Sequence, residues 1–186
     1  MTKSKIHIFP DGISREVDKA LSYYPDLEEV PIKIKFKKQI KKSTMLAQPT
    51  FSSFLKSRKH RKYTILISET FKISDQKFHT KDLPSNVLIG WIGHELGHII
   101  DYQTRDKLNL IRFGICYLFS ENHIVEAERN ADTYAVQHGM RDYILETKHF
   151  ILNHADIADT YKLRMKKYYL SPEEIMDIVA DTNTIS

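Results

Sequence analysis

One cysteine in 186 residues excludes an intramolecular disulfide framework, so this chain must be held together by an ordinary core. Cys116 lies in an apolar run and reads as a small buried hydrophobe. A lone thiol fits a reducing compartment. Long hydrophobic runs are missing too. The most apolar stretch, Leu108 to Phe119, is short and interrupted by Asn109 and Arg112, so no transmembrane span is expected. Near the N-terminus, Lys3 and Lys5 are followed only by Ile6 to Phe9 before Pro10-Asp11-Gly12, which is not a secretory signal. The cytoplasm is the expected location. Neither internal repeats nor low-complexity linkers occur, and the length suits a single domain over residues 1–186.

The charge balance is basic, at +4 with a pI near 9.0. Lys33, Lys35, Lys37, Lys38, Lys41 and Lys42 form one group, and Lys56, Arg58, Lys59, His60, Arg61 and Lys62 form another. Such groups attract nucleic acid, anionic lipid or acidic polypeptide, but most are solvated faces and turns. Aromatic side chains for base stacking stand only at the margins, at Phe36 and Tyr63, so nucleic acid is not the expected partner.

Against that background stands His94-Glu95-Leu96-Gly97-His98, an H-E-x-x-H pattern inside an apolar helical stripe of Ile89, Ile92, Leu96, Ile99 and Ile100. The spacing predicts a helix from about residue 86 to 103, with Ser85 or Asn86 as N-cap. Residues four apart share a helix face, so both imidazoles can hold one Zn²⁺ with Glu95 beside the open coordination position. Downstream, Glu128 and Asp132 are also four apart, flanked by Ala131 and Ala135. These alanines, with Gly90, Gly93 and Gly97, predict a close crossing of the two helices. Glu128 would complete the ligand set, and Asp132 could accept the outer N–H of a ligand histidine. Asp101, one turn beyond His98, reaches such a metal poorly and suits an anchoring role. Glu126 would point away from Glu128. Thr104 stands where a metzincin needs a third ligand.

These residues, His94, Glu95, His98, Glu128, Ala131 and Asp132, resemble the gluzincin zinc metallopeptidases, in particular their minigluzincin-like branches, over residues of about 60 to 140. The resemblance implies a zincin-like α+β fold, one Zn²⁺ per chain on His94, His98 and Glu128, Glu95 as catalytic base and acid, and a peptide or protein substrate. Two other classes compete. One is a non-catalytic zinc-binding regulatory module; the other is a DNA-associated protease recruited through the basic clusters.

Around the motifs, residues 12 to 24 predict a helix stopped by Pro25-Asp26. Ile32 to Lys37 alternates as a half-buried strand, Thr44 to Phe51 suits a second strand whose Pro49 fits an edge or a strand end, and Tyr63 to Ser68 is the best strand of all. The expectation is an α+β fold: a helix and small sheet within residues 1–84, then a mainly helical part, 85–186, carrying the active-site helix, the glutamate helix and C-terminal helices. An exposed edge strand near the metal helix would bind an extended peptide by strand addition. Leu108 to Phe119 is either a partly buried helix or strand, or else a flap or interfacial membrane contact. After Gly139 the chain reads as helical, with Ser171-Pro172-Glu173-Glu174 as a helix start. His138, His149, His154, Tyr134 and Tyr161 are open candidates for stabilising an oxyanion.

Overall fold

The computed structural model describes residues 6–40, 43–73, 76–153, 157 and 159–184. Lys41, Lys42 and His154 lie outside them. The architecture is mixed α+β, with four strands in a small mixed sheet and helices packed around it. Strands β1 (His7–Ile8), β2 (Ile32–Lys37), β3 (Met45–Pro49) and β4 (Tyr63–Ser68) lie in the order β1-β2-β4-β3. The first three positions of that order run parallel, whereas β3 is antiparallel to β4 and forms one edge.

Side-chain period fixes this register. Ile32 and Ile34 of β2 are buried while Lys33, Lys35 and Lys37 face water, as the alternation predicts. Central β4 is buried at Ile65, Leu66 and Ile67 on successive positions, which requires cover on both faces. Pro49 ends the edge strand, where its missing N–H leaves no ladder bond unmade.

The first helix, α1 (Ser14–Leu21), follows a 3-10 turn at Asp11–Ile13 and stops earlier than periodicity suggests. Pro25 keeps Tyr24 out of the helical region, at φ −119° and ψ 69°. Tyr24 is nonetheless buried, because its hydroxyl turns inward to donate to the Gly93 carbonyl at 2.6 Å. A hairpin of β5 (Thr70–Ile73) and β6 (Gln76–His79) follows the sheet and was not anticipated; its strands are too short to show alternation.

Helix α2 (Ser85–Thr104) runs through the middle of the protein and is buried nearly all round. Neither Ser85 nor Asn86 caps it. Pro84 holds the cap position, while Ser85 Oγ donates to Glu16 and Asn86 Nδ2 to Glu146. The opposite end is capped by an unexpected residue. Arg61, from the supposedly solvated basic turn, is 1% exposed and donates from Nη1 to the carbonyls of Tyr102 and Arg105, both at 2.8 Å.

Four helices complete the chain around α2 after α3 (Lys107–Phe119): α4 (Glu121–Ala135), α5 (Arg141–Asn153), α6 (Asp159–Tyr168) and α7 (Pro172–Thr184). The 108–119 segment is therefore a helix, capped by Asp106 and buried only at Leu110 and Phe113. Cys116 within it is half-buried rather than buried. A kinked turn, Val136–Met140, joins α4 to α5 around Gly139, whose φ of +84° lies in the left-handed region that favours glycine. Ser171 and Glu174 form the expected reciprocal cap on α7. One hydrophobic cluster takes in Val17, Ile34, Ile65, Leu96, Met140 and Ile175, so both halves of the chain share a core.

Candidate metal centre

Three glycines set the site's dimensions, because each removes a side chain where another segment touches α2. A Cβ on Gly97 would sit 2.3 Å from the Ala131 carbonyl oxygen of α4, so α2 and α4 meet there. The other two glycines do not serve that crossing. Gly93 accommodates Met140, and Gly90 accommodates Tyr143 and Thr147 of α5. One glycine stripe thus seats α2 against three successive partners, correcting the single crossing expected from sequence.

At the α2–α4 contact the predicted residues converge. His94 and His98 project from neighbouring turns, their rings 4.7 Å apart and nearly perpendicular. Glu128 Oε2 approaches His94 Nε2 at 3.0 Å and His98 Nε2 at 3.4 Å. The three residues each offer a donor atom within 4.8 Å of the others, all buried. Two imidazoles and one carboxylate at this separation could hold a metal ion. Asp101 and Glu126 stay out. Asp101 grips Arg105 through both oxygens near the end of α2, and Glu126 is exposed.

Orientation comes from the next layer of residues. Asp132 Oδ1 lies 2.9 Å from His94 Nδ1, which leaves Nε2 as the atom facing Glu128. The other oxygen, Oδ2, accepts from Lys148 Nζ at 2.7 Å and from the Leu170 N–H at 3.0 Å. Lys148 is 3% exposed, and sequence reading overlooked it. The available signal was its place four residues after Ile144 and three before Ile151, on the buried stripe of α5. Tyr117, also overlooked, donates to Glu128 Oε1 at 3.1 Å. Tyr169 packs its ring 5.4 Å from that of His94. His98 has no equivalent of Asp132: its Nδ1 is buried without a partner among the described residues, beside a stacked Tyr102.

The electrostatics divide the acids. Burial raises the Glu95 carboxyl above the ordinary range, against the pull of the two histidines and the Ala47 N–H. For Glu128 burial acts in the same sense, yet its hydrogen bonds with His94 and His98 win and hold it well below that range. Asp132 is likewise low despite burial, through Lys148 and His94. Two carboxylates are thus kept ionised beside one whose proton affinity is increased.

Glu95 points to the sheet rather than away from it. Its Oε2 accepts the N–H of Ala47 on edge strand β3 at 2.6 Å, and Tyr102 Oη donates to the Ala47 carbonyl at 3.3 Å. Edge strand β3 therefore has both polar groups of its middle residue engaged by α2. Between β3 and α3 opens a cleft of about 390 Å³, reached by Glu95, His98, Glu128 and Tyr169. Its size is that of a small-ligand or side-chain site.

Of the oxyanion candidates, His138 bonds Tyr134 and Asp26 and stacks on Tyr24, His149 is exposed, and Tyr134 is half-buried. Tyr161 lines a small cavity with His94 and Glu95. Comparison of the chain with protein-family models, curated proteins and solved structures finds no match, so the geometry and chemistry of this site alone carry the functional reading.

Proposed function

We propose that this protein is a zincin-like, zinc-dependent metallopeptidase that cleaves peptide bonds at the cleft between β3 and α3. The single observation that carries the reading is the convergence of His94 Nε2, His98 Nε2 and Glu128 Oε2 next to a buried Glu95. His94, His98 and Glu128 would hold the ion. When bound, zinc supplies Lewis acidity toward a carbonyl and brings a water's pKa toward neutrality.

The chain's own groups do the rest. Asp132 holds His94 in the tautomer that presents Nε2, and Tyr117 restrains the second oxygen of Glu128. Glu95 takes the proton of the attacking water and delivers it to the leaving amine, a transfer that its raised pKa favours. A peptide laid along β3 competes for the Ala47 N–H and carbonyl now held by Glu95 and Tyr102. Its arrival frees Glu95 to turn toward the water, so substrate pairing and base release become one event.

Purified protein should carry about one equivalent of zinc, lost in His94→Ala. In a peptide-library assay Glu95→Gln should retain the metal and lose at least about 100-fold in cleavage rate. A Glu95→Gln protein that binds zinc and cleaves as fast as the wild type overturns the mechanism.

A further inference from the structure

Charge is segregated along this chain. Between residues 30 and 68 stand eleven lysines and arginines and not one aspartate or glutamate. Helix α3 is likewise free of acidic residues while carrying Lys107 and Arg112. Its flanking acids are engaged: Asp106 caps the helix, and Glu121 pairs with Lys167 and Tyr168.

The loop after β3 and helix α3 meet at one cleft. Phe54 from the loop and Leu110, Phe113 and Leu118 from the helix line the same cleft, and Arg61 ties the loop's end to the carbonyls at the foot of α3. Both segments display large apolar tips. Phe51 is 101% exposed, Phe119 85%, Leu108 80% and Leu118 75%. Around them Lys56, Arg58, Lys59, Lys62, Lys107 and Arg112 are exposed as well. Along α3, Leu108, Arg112, Ile115 and Phe119 recur at helical spacing and share the side opposite the buried Leu110 and Phe113, and a solvated surface has no use for large apolar side chains exposed there and on the loop.

We propose that this face, the loop of residues 50–62 together with α3, docks on an anionic lipid surface. Insertion of Phe51, Leu118 and Phe119 at the headgroup level would remove their apolar area from water, and the basic residues would meet the negative surface potential. Nucleic acid offers the same charge but nothing that Leu55, Leu108 or Leu118 could enter. Helix α3 has 13 residues, about 20 Å at 1.5 Å per residue, so it lies in the interface rather than crossing it. No described helix is long and apolar enough to span a membrane. The docking stands independently of peptidase activity.

The test is sedimentation of the full chain with vesicles of phosphatidylcholine, alone or mixed with phosphatidylserine. The wild type should pellet with the mixed vesicles and stay in solution with the neutral ones. Phe51→Ser combined with Phe119→Ser should lower the partition coefficient by about tenfold or more. Lys56→Glu with Lys59→Glu should do the same through charge. Leu163→Ser, at an exposed position on α6, should bind like the wild type. All five changed positions are exposed, and circular dichroism should show the folds of these variants unchanged. The proposal is overturned by equal recovery on neutral vesicles, or by binding that survives loss of both phenylalanines. It is equally overturned if vesicles are ignored while duplex DNA is retained at physiological salt, or while the chain self-associates through Phe51 and Phe119.

Discussion

Lys148 Nζ lies 2.7 Å from Asp132 Oδ2, and the two side chains are 3% and 2% exposed. An ammonium this deep is stable only because a carboxylate shares its site, and that carboxylate also holds His94. A cation on α5 thereby fixes the charge state of the acid that orients a candidate ligand on α2.

Lys148→Met keeps the aliphatic stem and removes the charge, leaving Asp132 without its cation. Breaking a buried pair from one side should cost about 3–5 kcal/mol in chemical denaturation. In a cycle with Asp132→Asn the double variant should lose less than the two singles together, because each single strands the other's charge. Strict additivity would contradict the coupling.

Asp132→Asn alone should weaken zinc binding by about 10–100-fold, measured by competition with a chelator, since an amide no longer favours the His94 tautomer that exposes Nε2. Unchanged affinity would mean that His94 needs no orientation from Asp132.

The metal-free protein should store a proton on His94. Burial would lower the imidazole's pKa, but hydrogen bonds to Asp132 and Glu128 outweigh it and push the value up from 6.5 to about 10. A folded-state pKa above the unfolded one adds stability that is complete below about pH 6.5 and is lost as pH rises through about 10. The melting temperature of the metal-free protein should therefore fall from neutral to alkaline pH. Zinc uptake at neutral pH should release about one proton, counted by calorimetry in buffers of different ionisation heat. A flat melting profile and no proton release would exclude this charge state.

Two glycines make a matched pair. Gly97→Ala sets a methyl group against the Ala131 carbonyl, forces α2 from α4, and should cost about 3 kcal/mol while lowering zinc affinity. Gly114→Ala, on α3 with nothing within 4 Å, should stabilise by about 0.5–1 kcal/mol. Thermal denaturation with and without zinc checks both. Similar small effects would remove Gly97 from the geometry of the site.

Periodicity made most of the fold legible. Alternation in Ile32 to Lys37, the dense β-branched run Tyr63 to Ser68 and the apolar stripe through His94 each describe a local pattern that tertiary structure had no reason to override. The convergence of His94, His98, Glu128 and Asp132 was legible too, because i, i+4 pairs on two helices leave few ways to meet. Arg61 and Lys148 were not. A charged residue is read as solvated unless its partners are known, and those partners lie 41 and 44 residues away for Arg61 and 16 for Lys148. The occupied edge of β3 was hidden for a similar reason, since Glu95 and Ala47 are 48 residues apart.

The Ala47 amide is held by a side chain instead of by the sheet, and this makes it a spectroscopic witness. Its proton resonance and its exchange with solvent report the direction in which Glu95 points, at a backbone position outside the candidate metal cluster of His94, His98 and Glu128. A peptide analogue that draws Glu95 away should shift that single amide while the β2–β4 ladder stays protected.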